Sequence, residues 1–146
     1  MKGIFIPPTE GFALGEHTAD LWLEVMGTSI EDCVSRSILG LYHVMAQEFF
    51  ITGTVRDSIV LDDESIELLV VDVLSEALFL FDSESALMLD ISLKKEGEDR
   101  WVLEFSRSKC IIPEGKGGME VKAATFHGSG LVMKDGIWYS KVLLDI

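Results

Sequence analysis

Asparagine is absent from this chain of 146 residues, and glutamine occurs once, at Gln47. Depletion of thermolabile amides accompanies life at high temperature. Cysteine occurs twice, as Cys33 and Cys110, with no CxxC spacing. That argues against a disulfide framework or a thiolate metal site, and both read as small buried hydrophobes. No apolar run reaches the roughly 18 residues of a membrane span. The first residues offer one Lys and a Pro7-Pro8 pair, too short for a secretory signal, so the expected location is the cytoplasm. Basic residues are scarce over positions 1–93, with three (Lys2, Arg36, Arg56) against seventeen acidic ones. Residues 94–146 are nearly balanced, at nine against eight, and the net charge is −13. Phosphate backbones repel such a body, so direct nucleic-acid binding is not expected. A basic protein partner or a bound cation suits it better, and a solvated acidic surface is the plainer alternative.

Nearly half of the chain is apolar, enough to bury a core in a single domain spanning residues 1–146, with 1–10 as a possible extension. Gly11 to Glu16 and Asp20 to Met26 read as strands. Thr28 and Glu31 have the spacing of a capping box, and Ile30, Val34, Ile38, Leu41 and Met45 then predict a helix to about Gln47. A strand over Gly53–Leu61 follows. The acidic run Asp62-Asp63-Glu64 opens a second, broadly apolar helix that ends near Asp82. Ala86–Lys95 and Trp101–Ser108 predict a hairpin. Glu120–His127 and Ile137–Leu144 predict two more strands, with a tight turn at Asp135-Gly136. Gly115-Lys116-Gly117-Gly118 lacks the Walker spacing and reads as a mobile loop. Two helices among strand groups imply an α+β two-layer sandwich, with both helices on one face of a mixed or antiparallel sheet.

The polar word His17-Thr18-Ala19-Asp20 interrupts two apolar stretches, and Asp145 stands just before the terminal Ile146. If the two ends meet, Asp20, Asp145 and the main-chain carboxylate of Ile146 supply three hard oxygen donors. Such donors suit Ca²⁺, Mg²⁺ or Mn²⁺. Taken singly, each residue has a plainer reading. Asp20 is a turn or cap residue and Asp145 a solvated chain end, while His17 reads as a metal ligand, an orienter of Asp20 or, most simply, a loop histidine bonded to backbone. The apolar Leu143-Leu144 and Ile146 around Asp145 favour an ordered tail. Glu120 and Lys122 lie two apart on one strand face, where they either neutralise each other or reach a metal or partner. No Ser/His/Asp or Cys/His pattern offers a nucleophile.

His17-Thr18-Ala19-Asp20, Glu120-Val121-Lys122-Ala123 with Thr125-Phe126-His127, and the ending Leu143-Leu144-Asp145-Ile146 together resemble the archease family. So does Leu78 to Asp82 after the long apolar helix. The resemblance implies a small cytoplasmic protein, not itself an enzyme, that activates the RtcB-type RNA ligase of tRNA splicing and RNA repair. It implies help in guanylylating the ligase histidine, multiple turnover and wider nucleotide use. It also implies a divalent metal on Asp20, Asp145 and the Ile146 carboxylate, a role for Lys122 in activation, and no small-molecule substrate. Ala124 and Phe126 depart from the family pattern, which removes a tyrosine hydroxyl there. Two other classes compete: a metal-dependent hydrolase of nucleotides or phosphoesters, and a metal-independent chaperone of nucleic-acid enzymes.

Overall fold

A computed structural model describes residues 2–5, 12–17, 20–62, 65–126 and 130–146. Along the chain these form β1 (Lys2–Phe5), β2 (Phe12–His17), β3 (Asp20–Gly27), α1 (Ile30–Met45) and β4 (Glu48–Leu61). A 3-10 turn (Ile66–Leu68) then leads into α2 (Leu69–Glu84), followed by β5 (Ala86–Lys95), β6 (Trp101–Ile111), β7 (Ala123–Thr125), β8 (Val132–Lys134) and β9 (Ile137–Asp145). The α+β layering expected from the sequence is present, with the strands divided between two sheets. One runs β1-β4-β6-β5 and the other β2-β3-β9-β7, with β8 also on β9. Every pairing among the described residues is antiparallel.

Period-two burial fixes the inner face of the second sheet. Leu21, Leu23 and Val25 of β3 point inward beside Val142 and Leu144 of β9. Burying each such side chain contributes about 1.5–3 kcal/mol. Helix α1 packs on β3, β9 and β2 and also reaches β5, while α2 packs on β5 and β7. One apolar core therefore joins both helices to both sheets. The buried Tyr42 of α1 ties the layers together: its hydroxyl accepts the Met88 amide of β5 at 2.8 Å, and its ring meets Phe49 edge-on.

Several expectations need correction. The cap of α1 is Ser29, one residue after the predicted Thr28; its hydroxyl accepts the Asp32 amide at 3.0 Å. Asp32 in turn accepts the Thr28 amide, while Glu31 accepts the Leu93 amide of β5. Two capping residues and two acids stand side by side, so the frame is settled by where β3 ends. The first helix stops at Met45, before Gln47, and β4 begins earlier than Gly53, at Glu48. The N-terminal extension is also structured in part, since β1 pairs with β4 from Lys2 opposite Ile51 to Phe5 opposite Glu48. Pro7-Pro8 lies outside the described residues, as do Asp63 and Glu64.

The glycine-rich segment is no free loop. Gln47 donates to the Lys116 carbonyl at 2.8 Å, and Gly118 and Met119 donate to the carbonyls of Met45 and Val44. The latter two bonds satisfy carbonyl groups at the C-terminal end of α1 that have no partner within a helix. Gly118 is required by this close approach, because a Cβ there would stand 2.3 Å from the Val44 oxygen. The expected final turn forms as predicted: Asp135 and Gly136 both have positive φ, 53° and 78°, between β8 and β9.

Candidate functional site

The two chain segments singled out in the sequence meet at one end of the second sheet. Strand β3 runs antiparallel to β9 with Asp20 directly opposite Asp145. On its other side β3 pairs with β2, with His17 opposite Asp20. Beyond β9, Ala123 of β7 lies opposite Asp145. His17, Asp20, Asp145 and Ala123 thus form one row across four strands.

Alternation decides which way the row faces. Leu21 and Leu144 are buried against the helices, so Asp20 and Asp145 project from the opposite face and are partly exposed. Directly opposed side chains in an antiparallel pair lie about 4.5–5.5 Å apart at Cβ, and like charges there cost stability. Ile146 continues β9, and its side chain packs against the core. That packing orders the end of β9 beside Asp145.

The remaining candidates are placed less centrally. Lys122 precedes β7 with an exposed side chain, and its amide donates to the Asp145 carbonyl at 2.7 Å. Glu120 is exposed and outside any strand, because β7 is only three residues long where eight were predicted. His17 is placed by its backbone alone, and His127 lies outside the described residues.

One feature near the row was not anticipated. Lys141 of β9 sits over the Trp22 ring, 4.4 Å from its centroid, and 3.6 Å from the Glu24 carboxylate. Trp22 is on the same face as Asp20, so a cation is held two residues along from the carboxylates. The only sequence signal was that Trp22 and Lys141 occupy outward positions of their strands.

The two hard carboxylates match the oxygen preference of Ca²⁺, Mg²⁺ or Mn²⁺. Among the described residues no group of three or more His, Cys, Asp or Glu side chains is gathered for a metal. Of the row, Asp20 and Asp145 bring carboxylates, so a cation held there would need further ligands beyond these two. Thiolate ligation is disfavoured elsewhere: burial pushes the Cys33 and Cys110 thiols up to about 11. No helix among the described residues is long and apolar enough to cross a membrane.

Comparison with known proteins gives a consistent result. Residues 12–146 match the model of the Archease protein family (MTH1598/TM1083). The protein archease of Pyrococcus furiosus is 29% identical over 135 residues, covering 90% of this chain and 95% of that one. The protein archease of Methanosarcina mazei is 27% identical, covering 90% and 92%. The solution structure of Methanobacterium thermoautotrophicum protein 1598 superposes with a TM-score of 0.72 at 28% identity, over 94% of this chain and all of that one. A crystal structure from Thermotoga maritima, described as an archease and possible chaperone, shares the fold with a TM-score of 0.63 at 21% identity, over 90% and 94%.

Proposed function

The chain belongs to the archease family, and on that premise we propose that it is a cytoplasmic, metal-binding activator of an RtcB-type RNA ligase in tRNA splicing and RNA repair. In this reading it turns over no substrate; it promotes guanylylation of the ligase histidine and lets the ligase act repeatedly. The observation that carries the proposal is the direct opposition of Asp20 and Asp145 across β3 and β9.

Asp20, Asp145 and the Ile146 carboxylate are the groups that would hold a divalent ion. Bound there, the ion would supply positive charge and open coordination positions for oxygen ligands of the partner. The chain's own contribution is positioning. The β3–β9 ladder fixes the two aspartates, the Lys122 amide anchors β9 at Asp145, and the buried Leu144 holds the strand end in place. The acidic charge favours a basic protein surface over RNA as the direct partner.

The test is RNA ligation by an RtcB-type ligase at limiting GTP and divalent ion, with and without this protein. Stimulation by the protein supports the reading, and its absence with a matched ligase removes it. A metal-independent chaperone role, in line with the description of the Thermotoga maritima relative, predicts equal stimulation by Asp20→Ala. Phosphate release from nucleotides without any ligase would instead favour the hydrolase.

A further inference from the structure

An open groove of about 270 Å³ lies between the last turns of α2, the residue after β6 and the strap 117–121. Its apolar lining includes Phe81, Ile112, Met119 and Val121. Met119 remains 49% exposed and Ile112 37%, which leaves large apolar side chains half in water. Among the described residues, the two charged ones that line it, Asp82 and Glu120, are both exposed carboxylates, with no Lys or Arg beside them. One wall is fixed in advance, because Gly118 and Met119 are hydrogen-bonded to the end of α1. A wall that is already ordered loses little entropy on binding.

The strap that lines the groove leads directly to the strand beside Asp145. Val121 is part of that lining, the next residue donates its amide to Asp145, and Ala123 lies opposite Asp145.

We infer that this groove is the docking site for a segment of the partner ligase that inserts a large apolar side chain and carries lysine or arginine beside it. The inference rests on the ligase reading for the identity of the partner. The apolar lining specifies the anchor, and two carboxylates without a lining cation specify the charge of its neighbours. A second copy of this chain fits poorly. An isologous contact would set the acidic lining against itself, between bodies that each carry −13. An RNA strand fits worse, since its phosphates share the sign of the rim.

The experiment titrates this protein into the ligase and reads binding and ligation together. Asp82→Lys and Met119→Asp each raise the half-saturating concentration about tenfold while the plateau of stimulation is retained. Both side chains are exposed at the surface, and a melting temperature confirms that each variant is folded. Met119→Leu, which keeps the anchor site apolar, stays close to the parent. Asp20→Ala differs from both in losing the plateau itself. Unchanged half-saturation for both Asp82→Lys and Met119→Asp, in an assay where the parent stimulates, overturns the groove and leaves the ligase reading standing. A ligase that neither binds nor responds to the parent removes both. Self-association abolished by the groove variants in sedimentation, with the ligase titration unmoved, makes a second copy the occupant and also overturns the inference.

Discussion

Asp20 and Asp145 occupy opposite positions in an antiparallel strand pair, 125 residues apart in sequence and on the same partly exposed face of the sheet. Opposed like charges cost roughly 0.2–1 kcal/mol. Without divalent ions, Asp145→Asn should therefore leave stability unchanged or raise it by up to about that amount, measured by urea unfolding at low salt. A large loss would show that the carboxylate is a structural hydrogen-bond acceptor.

With Ca²⁺, Mg²⁺ or Mn²⁺ added, the parent should melt at a higher temperature. Saturation to a hundred times Kd stabilises a folded protein by about 2.7 kcal/mol. Residues appended after Ile146 convert its carboxylate to an amide, and this shift should then shrink. An undiminished shift in the extended protein would remove Ile146 from the ligand set.

The caps of α1 are testable without any partner. Ser29→Ala removes the acceptor for the Asp32 amide and should cost about 1 kcal/mol in urea unfolding. Thr28→Val deletes only the longer side-chain bond to Asp32, at 3.3 Å, and should cost less. An equal or reversed ranking would restore the frame first read from the sequence.

Asp32 also links stability to pH. The Thr28 amide, assisted by Arg36, holds its carboxyl below the ordinary value of 3.8. A depressed folded value means that the ionised form is favoured by folding. Its contribution is full above 3.8 and is lost as pH falls through the folded value. The stability difference between the parent and Asp32→Asn should therefore narrow on acidification below about pH 4. A constant difference would detach the effect from ionisation.

Gly118→Ala should destabilise strongly, because its Cβ would collide with main-chain atoms of Val44 and Met45. The expected loss exceeds about 2 kcal/mol in urea unfolding. Gly117→Ala, with open space around its position, should cost much less.

These residues also show what the sequence could and could not reveal. The apolar period of α1 and the Asp-Gly turn before β9 are local signals, and both elements appear where expected. The words around Asp20 and Asp145 were conspicuous, but their opposition is a matter of long-range register, set by which faces of β3 and β9 meet the helices. The strap departs from its expected looseness for the same reason. Glycine-rich composition suggests freedom, whereas Gly118 is there because α1 ends against it. The shortness of β7 likewise reflects the pairing available on β9, which Glu120 to His127 does not encode by alternation alone.

The most direct test is transfer of labelled GMP from limiting GTP to an RtcB-type ligase, in the presence of the parent, Asp20→Ala or Asp145→Ala. Each variant should be folded, with faster guanylylation by the parent and none of that acceleration by either variant. Equal acceleration by a variant would contradict the claim that the opposed aspartates are the working site.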